Sequence, residues 1–582
     1  MSNVILVCAR GDNKNPYSID DITKISDRLT PDNIRPREPY AANEKEVLLG
    51  VFNGHKSDNV FKANTYAGNL LEPSEDWHRI GSAKPDGSYA LFRSDADSVE
   101  LVTDILASRT IWYIKTNALF IASTSQRAIV FFLRSFQPDK RPYSWMLANG
   151  TLGPGFSWDK RIQSLLPDSC LTLCRSSWDI TISTEPPVFK SVDLPVEEHR
   201  EILKQAMEDT FNAMELNPAE WVLPLSGGYD SRIILMLLKN KKSMRCFTIA
   251  PDQTHKKGTG YIAKKLAEFY GLEIELVRRG QLSKDPLSKV FNRYLVASEG
   301  RTDGISSYYD GFDLWKSLHD NNCYGVVRGD EIFGWKPVSS FKDVVDLLGV
   351  NFFSDYKNLP APETFGLDKM SWPPHLKPND GDTPRLWYNK IYQLFRAPYV
   401  LSARTDCKSS YVEVINPLLS KKIVSAARRI PDYLQDDKKL YVSIVTELSP
   451  KIPFHSSVSE AHDKTFKNLE KTRLVDQIST REGINIIRSE LESKYARRLL
   501  SDTLIDFLLD GVKVKETLSK RVLISFKHFI KVVTPATVTS STKSILVEKK
   551  SSKKNIDINK MAFRAYMIVA MHRMLESDAS AL

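Results

Sequence analysis

Cysteine is scarce in this sequence, which has six cysteines in 582 residues. They stand mostly alone within apolar or strand-like stretches, which excludes a disulfide framework and the paired CxxC spacing of many zinc sites. Cys170 and Cys174 form a CxxxC spacing without a second pair, and a zinc site is not predicted there. This cysteine usage indicates a protein of the reducing cytoplasm.

Long apolar runs are also missing. The densest run, AIVFFL at residues 128–133, is far shorter than the roughly 18 residues of a membrane-spanning helix. The start, MSNVILVCARGD, has neither the basic region nor the sustained apolar region of a signal peptide. We therefore expect a soluble, unsecreted, cytoplasmic protein with no membrane partner.

The sequence has only a modest excess of positive charge. It contains 81 Lys and Arg against 71 Asp and Glu, a net charge of +10. This balance suits an anionic ligand, but over this length it does not predict binding to nucleic acid. The lysine-rich stretch from Lys543 to Lys560 could bind nucleic acid or an acidic leader peptide, although solvated lysines are the ordinary interpretation.

The hydrophobic patterns divide the chain into two parts within a length that predicts two or three domains. Residues 1 to about 190 have the pattern of short antiparallel strands: VILVCA, EVLLGVF, GSYALFRS, ALFIAST and SCLTLC. From about residue 195, strand and helix patterns alternate, which predicts a parallel α/β sheet. Helical patterns dominate after about residue 385, and residues 510–560 have the pattern of an exposed loop before a final amphipathic helix.

The most informative stretch is SGGYDSR, residues 226–232, which lies between the apolar runs WVLPL and IIL. In an open parallel sheet, ligands bind beyond the carboxyl ends of strands, where helix N-termini favour anions. Two glycines let the backbone approach a phosphate, the serines add hydroxyl donors, and Asp230 beside phosphates is a natural ligand of Mg²⁺. The pattern predicts a site for polyphosphate and metal together.

Three other motifs contain glycine in a similar setting. The stretch is neither a Walker A loop, because the GxxxxGK[ST] lysine is absent, nor a GxGxxG fingerprint. A plain turn capped by Asp and Ser would explain a lone SGG tripeptide. The full SGGxDS pattern after a buried strand and before a helix favours the ligand site.

The residues LSGGYDS resemble the pyrophosphate loop (PP-loop) of the ATP pyrophosphatases. Their surroundings resemble the synthetase domain of class B asparagine synthetases, β-lactam synthetases and lasso-peptide cyclases. The supporting segments are CFTIA, YIAKKLAEFYGLEIELV, VVRGDEIFGW and YVEVINPLLSKKIVSAARRIPDYL, with PDGSYALF and TDILASRTIWYIKTNALFIASTSQRAI in the amino-terminal part. The resemblance covers roughly residues 40 to 470.

The resemblance implies a fold for each part. Residues 1–190 would form an Ntn-type αββα sandwich, a degenerate glutamine amidotransferase domain. Residues 195–582 would form a PP-loop parallel α/β domain with a helical C-terminal region, which binds ATP and Mg²⁺.

The resemblance also implies roles for particular residues. The backbone at Leu225 and Ile249 would line the adenine pocket, and Asp330 would be the second Mg²⁺ ligand beside Asp230. Two carboxylates on one phosphate-bound Mg²⁺ are chemically coherent. The alternative for RGDE, which includes Asp330 and Glu331, is a surface turn. The β- and γ-phosphates and Mg²⁺ would be held by Ser226, Gly227, Gly228, Asp230 and Ser231.

The residues that would act on the substrate depart from the family pattern. The relatives use a lysine after an "LP" segment to stabilise the intermediate, and Lys464 or Lys467 is the candidate here, with a solvated lysine as the alternative. Val327 stands where relatives have a catalytic Tyr or Glu. Glu413 matches a glutamate of the family and is expected to have a structural role.

The amino-terminal part, which resembles a glutaminase domain, departs further from the family pattern. Relatives that hydrolyse glutamine use a cysteine at position 2, whereas this chain has Ser2 followed by Asn3. Cys8 lies inside an apolar strand, which predicts a buried and unreactive thiol. Glutamine hydrolysis is therefore not expected.

The resulting prediction is an ATP-dependent, AMP-forming amide ligase that closes a lactam or macrolactam in a peptide-derived product. The expected partners are a carboxylate substrate such as a precursor peptide, and a protease or leader-peptide-binding protein beside it. Two alternatives stay open: an amidotransferase that uses free ammonia with a small carboxylate, and a nucleotide-binding subunit without catalysis.

Overall fold

The structure of the protein is a computed structural model. It describes the whole chain except residues 1–2, 12–14, 55–58, 73, 251–252, 279, 335, 456–475 and 516–553. Within these described residues, no helix combines the length and apolar character needed to cross a bilayer.

Residues 1–190 form two antiparallel sheets, in agreement with the strand pattern. The first sheet has the order β10-β8-β9-β1-β3-β2 and the second the order β12-β11-β7-β6-β5-β4. The strands are β1 Asn3–Ala9, β2 Tyr40–Glu44, β3 Val47–Phe52, β4 Val60–Phe61, β5 Asn64–Leu70, β6 Gly87–Ser94, β7 Ser98–Thr103, β8 Trp112–Lys115, β9 Leu119–Ser123, β10 Gln163–Ser164, β11 Ser169–Cys174 and β12 Asp179–Thr184.

The alternation of side chains along β1 explains how the sheets pack. Val4, Leu6 and Cys8 point into the core between the two sheets. Ile5 and Val7 point to the opposite side, towards the core that includes α1 (Ile19–Leu29) and α2 (Gln126–Leu133). Cys8 is fully buried, so the predicted burial of its thiol is confirmed, and burial raises its pKa, which is in line with low reactivity.

The outer face of the second sheet is covered differently from the αββα prediction. The helices of this region, α1, α2 and α3 (Arg141–Asn149), belong to the core on the outer side of the first sheet. On the second sheet, Trp77 of a loop packs edge-on against Tyr66 at 5.0 Å. The buried Arg93 guanidinium donates to the Trp77 carbonyl at 2.5 Å. The described residues of this region thus show two sheets with helices on the outer side of the first. The second sheet is covered in part by this loop and also contacts β17 and residues 417–419.

The second part contains the predicted parallel sheet, with the order β15-β14-β13-β16-β17. All neighbouring strands are parallel. The chain runs outward from β13 in one direction and then returns to build the other side, so the topological switch point lies between β13 and β16. The strands are β13 Trp221–Pro224, β14 Arg245–Ala250, β15 Ile274–Arg278, β16 Gly325–Val327 and β17 Glu413–Ile415.

Helices surround this sheet and continue beyond it. A π-helix, Tyr392–Leu401, joins two of them without a break. The α-helices are α4 Val196–Ala213, α5 Asp230–Leu237, α6 Thr259–Tyr270, α7 Leu287–Ser298, α8 Asp313–Asp320, α9 Phe341–Leu348, α10 Pro384–Ile391, α11 Ser402–Ser409, α12 Lys421–Ala427, α13 Asp432–Gln435, α14 Lys439–Leu448, α15 Arg481–Leu491, α16 Lys494–Leu499, α17 Asp502–Gly511 and α18 Ile558–Ala579.

The final helix, α18, connects the two parts of the chain. It was predicted as amphipathic but is buried on most of its surface, because it packs against α2, α3 and α15. Near its end, the fully buried Asp578 accepts two hydrogen bonds from Arg127, at 2.7 and 3.0 Å. The C-terminal helix is thereby tied into the first region.

His572 on α18 is a buried titratable group and is expected to make the fold sensitive to acid. Its ring is fully buried beside Tyr143, and burial lowers its pKa to about 4. Between pH 6.5 and 4 the unfolded chain binds a proton that the folded chain does not, so stability falls as the pH falls, by up to about 1.4 kcal/mol per pH unit.

We expect His572→Phe to flatten this decline in thermal midpoints measured from pH 7 to 4. An unchanged slope would contradict the assignment.

Candidate functional site

The SGGYDSR stretch forms the connection from β13 to α5, as predicted. The strand ends at Pro224 and the helix begins at Asp230. The Leu225 amide donates to the Phe247 carbonyl of β14 at 2.8 Å, which continues the sheet by one residue. The loop therefore leaves the carboxyl end of the central strand and opens at the N-terminus of a helix, where the helix dipole favours anions.

Hydroxyl groups fix the shape of this loop. The Ser226 amide donates to the Ser231 Oγ at 2.9 Å, and the two hydroxyl oxygens lie 2.9 Å apart. The Gly228 amide donates to the Ser226 Oγ at 3.2 Å. Ser226, Gly228 and Ser231, three of the predicted phosphate-binding residues, thus form one compact turn.

Gly227 is the position where the loop meets neighbouring elements. Its amide donates to the Thr259 Oγ1 of α6 at 2.9 Å, and its carbonyl accepts from the His455 amide at 2.8 Å. A Cβ atom here would lie 2.7 Å from the His455 Cβ and 3.2 Å from the Ile262 Cβ. Only glycine permits this close approach.

We expect Gly227→Ala to destabilise the protein, because the chain at His455 or α6 must move to admit the methyl group. The cost expected for such overpacking is about 1 to 3 kcal/mol. Gly228→Ala is the matched control, since its Cβ would meet only the Ser226 Oγ at 3.4 Å. Thermal midpoints of both variants test the difference, and equal midpoints would refute the steric argument.

Arg232 holds the segment that leads to the predicted catalytic lysine. Its guanidinium is fully buried and lies 3.8 Å from the ring centroid of Phe454. It donates to the Ile452 and Pro453 carbonyls at 2.8 and 2.7 Å. The segment from Ile452 to His455 is thereby held beside the SGGYDSR loop, which it contacts through the His455 amide. Lys464 and Lys467 lie outside the described residues, so the position of a catalytic lysine there stays a prediction.

The second predicted metal ligand, Asp330, follows β16, which is the strand next to β13. A Cβ atom on Gly329 would lie only 2.9 Å from the Asp230 Cβ, so the two loops are in contact. The Asp330 carboxylate pairs with Arg328 at 3.0 Å. The structure therefore brings Asp230 and Asp330 together at the switch point, although 100 residues separate them in sequence.

Lys438 and Glu331 also carry charge at this site, although the sequence did not predict either of them as a site residue. Lys438 lies 2.6 Å from the Glu331 Oε1 and 3.8 Å from the Asp230 Oδ1. Burial raises the pKa of Glu331 to about 7, against the effect of Lys438. Burial also raises the pKa of Asp230, an effect that Lys438 opposes and Asp330 reinforces. The folded protein thus disfavours the ionised form of each carboxyl.

The immediate surroundings of Asp230 fit a bound cation. Its Oδ1 atom is buried and accepts no hydrogen bond of normal geometry. Its neighbours are the Lys438 ammonium at 3.8 Å and the buried Tyr441 hydroxyl, which interacts with the carboxylate and lowers its pKa. In the described part of the chain, no group of three or more His, Cys, Asp or Glu side chains is placed to hold a metal by itself. A Mg²⁺ ion held by Asp230 and Asp330 would need the phosphates of a ligand as further donors, which matches its preference for substrate oxygens.

The remaining predicted residues take the following positions. Ile249 lies near the end of β14, next to the loop, and is 48% exposed. Leu225 is buried, with only its backbone available at this edge. Val327 is buried in the sheet, and the buried Glu413 accepts a hydrogen bond from Asn69 at 3.4 Å. Glu413 thus contacts the first region, in line with its expected structural role.

A cavity of about 450 Å³ opens beside the carboxylates. Asp230, Asp330 and Glu331 line one side, and Arg396 and Arg404 line another. The loop residues Ser226 to Gly228 are not part of its lining. Asp230 therefore belongs both to the SGGYDSR loop and to the lining of the cavity.

Comparisons with known proteins add little to this geometry. No family model matches the chain, and no curated protein matches it. One similar solved structure is described as the allosteric regulatory enzyme of purine biosynthesis; the identity is 9%, the TM-score is 0.22, and the match covers 47% of this chain and 80% of the other. Another is glutamine phosphoribosylpyrophosphate amidotransferase from B. subtilis complexed with ADP and GMP, with 12% identity, a TM-score of 0.19, and coverage of 47% and 65%. At these TM-scores the similarity establishes neither fold nor function.

Proposed function

We propose that this protein is an ATP-dependent, AMP-forming ligase that joins a carboxylate to an amine. The observation that carries the proposal is the meeting of the SGGYDSR loop and Asp330 at the switch point of a parallel sheet. The serine hydroxyls at the N-terminus of α5 suit phosphates, and the two carboxylates Asp230 and Asp330 suit a phosphate-bound cation.

The proposed reaction has two steps. An oxygen of the substrate carboxylate attacks the α-phosphorus of ATP, and the bond to pyrophosphate breaks to give an acyl-adenylate. The amine then attacks the carbonyl carbon, loses a proton, and AMP leaves as the amide forms. Mg²⁺, when bound by Asp230 and Asp330, would offset charge on the departing pyrophosphate.

The residues of the chain support particular parts of this reaction. The loop from Ser226 to Ser231 would hold the pyrophosphate portion of ATP, and the edge between Leu225 and Ile249 would receive the adenine. The cavity beside Asp330 would hold the carboxylate substrate. Lys438, already paired with Glu331, is a cation close enough to Asp230 to balance the charges of the site.

We further propose that the amine belongs to the substrate itself, so that the product is a lactam or macrolactam made from a precursor peptide. The resemblance of the loop and of the segments around Asp330 to β-lactam synthetases and lasso-peptide cyclases supports this choice. A protease or leader-peptide-binding protein would act on the same precursor.

The test is to incubate the protein with ATP, Mg²⁺ and candidate substrates, and to separate AMP, ADP and pyrophosphate. The substrates are free ammonia with aspartate, glutamine with aspartate, and precursor peptides encoded near the gene. AMP and pyrophosphate formed only with a peptide support the lactam ligase. AMP formed with ammonia selects the amidotransferase, and tight ATP binding without cleavage in any mixture selects the nucleotide-binding subunit.

A further inference from the structure

The cavity beside Asp330 has walls of opposite charge. The carboxylates Asp230, Asp330 and Glu331 lie on the side of the sheet. Arg396 belongs to the π-helix and Arg404 to α11, and both line the cavity. These two residues form the arginine pair. The proposed reaction uses the first wall and gives the arginine pair no role.

Arg404 has no partner within the part of the chain that the structure describes. Its guanidinium takes part in no hydrogen bond or ion pair there, and the residue is exposed. Arg396 donates a single hydrogen bond, to the Leu348 carbonyl at 2.7 Å. Both guanidinium groups therefore have unused donors directed at an aqueous cavity, and a guanidinium fork matches a carboxylate or phosphate.

The two arginines also repel each other. Burial lowers the pKa of Arg396, and the charge of Arg404 lowers it further. Behind them, burial lowers the pKa of Lys408 to about 7, with Arg328 and Arg404 adding to the effect. Asp330 opposes this effect at both Arg396 and Lys408, so it offsets part of the positive charge. The unpaired donors of Arg404 stay available to a bound anion.

The π-helix explains how the pair comes to face the cavity. Tyr392, Arg396 and Leu401 line it from successive wide turns, and Arg404 follows after the return to α-helical geometry. π-helical turns are uncommon and occur frequently at functional sites. The local geometry thus directs both guanidinium groups to one face.

We propose that the arginine pair binds a second acid group of the carboxylate substrate, distinct from the carboxylate that reacts. This inference rests on the proposed function for the identity of the reacting group, but the anion site itself does not. The substrate class is a small diacid, or a peptide residue bearing two acid groups, that spans the cavity of about 450 Å³. The phosphates of ATP are a separate anion, since Ser226, Gly227 and Gly228 are not among the residues that line the cavity.

The test measures binding without turnover. Succinate, glutarate and adipate, each beside its own mono-amide, are titrated into the protein with Mg²⁺ and α,β-methylene-ATP, which cannot be cleaved to AMP. At least one diacid is expected to bind about 10-fold or more tightly than its mono-amide, which has one charge fewer. Arg404→Gln is expected to remove this difference, and Arg404→Lys to retain part of it.

Arg79→Gln is the matched control, because Arg79 is an exposed arginine whose guanidinium pairs with Asp76 at the surface at 3.0 Å. Arg396→Gln provides a second test of the pair. Equal binding of every diacid and its mono-amide overturns the proposal, as does a preference that survives both Arg404→Gln and Arg396→Gln. Weaker binding of the nucleotide analogue alone in Arg404→Gln also overturns it, since the arginines would then serve the nucleotide.

Failure of the inference differs from failure of the proposed function. Arginine-dependent diacid binding without AMP formation from ATP would leave the anion site in place and reject the ligase. AMP formation with monocarboxylates as efficient as diacids, unaffected by Arg404→Gln, would leave the ligase in place and reject the anion site.

Discussion

Asp230→Asn is expected to lower the rate of AMP formation by about 100-fold or more while leaving the protein folded. The substitution keeps the size of the side chain and removes one of the two carboxylates that meet at the switch point. Electrostatic stabilisation of the transferring phosphate is usually among the largest single contributions to catalysis. The measurement is the initial rate of AMP release with the active substrate, compared with wild type.

The stability of the same variant separates this loss from unfolding. Burial raises the pKa of Asp230, so its ionised form is disfavoured in the folded protein, and a neutral amide relieves that cost. The thermal midpoint of Asp230→Asn should therefore equal or exceed that of wild type. If the thermal midpoint and the rate of AMP formation both fall, Asp230 has a structural role instead.

Asp320→Asn is the control for this prediction, because it removes a carboxylate from an exposed pair with Lys316 and should leave the rate unchanged. Asp330→Asn should lose activity as Asp230→Asn does. Near-normal AMP formation in either site variant would reject the two-carboxylate site.

The part of the site that follows from local sequence was predictable. The sequence from Trp221 to Arg232 contains a buried strand, a glycine-bearing turn and the start of a helix, and these elements form as expected. The pairing of Asp330 with Asp230 came from the resemblance of VVRGDEIFGW to the synthetase family. The parallel sheet explains why the two residues lie together, since its strands end at the same edge. The strand patterns before residue 190 and the helix patterns at α2, α4 and α12 are likewise confirmed.

The rest of the site depends on distant packing. Arg396 and Arg404 come from helical segments between β16 and β17, and Lys438 comes from a helical segment after β17. No local pattern distinguishes these side chains from solvated ones. The ionic partner of Lys438 lies over 100 residues earlier, at Glu331. The π-helix also escaped prediction, because its sequence, YQLFRAPYVL, has the apolar content of an ordinary helix.

The final helix shows the same limit. Residues 510–560 were expected to form an exposed loop, and residues 516–553 lie outside the described part of the chain. The pattern of α18 predicted one apolar face, whereas the helix is enclosed by α2, α3 and α15. His572 and Asp578 would be polar-face residues in isolation, and only the tertiary packing buries them.

Asp578→Ala is expected to destabilise the protein by about 3 to 5 kcal/mol, since it removes one partner of a buried ion pair and leaves the other uncompensated. Arg127 is 3% exposed and loses both hydrogen bonds to the carboxylate. Arg28 loses a bond of 2.8 Å but is 32% exposed and can be hydrated. The expected cost therefore comes mainly from Arg127.

The measurement is the urea midpoint of the first unfolding transition, because a chain of this length need not unfold in one step. Asp506→Ala is the control: its carboxylate pairs with Arg497 at 3.1 Å but is 61% exposed, and such pairs contribute about 0 to 1 kcal/mol. Equal midpoint shifts in the two variants would refute the role of Asp578. In the double variant Asp578→Ala with Arg127→Met, much of the lost stability should return, because the buried charge leaves together with its partner.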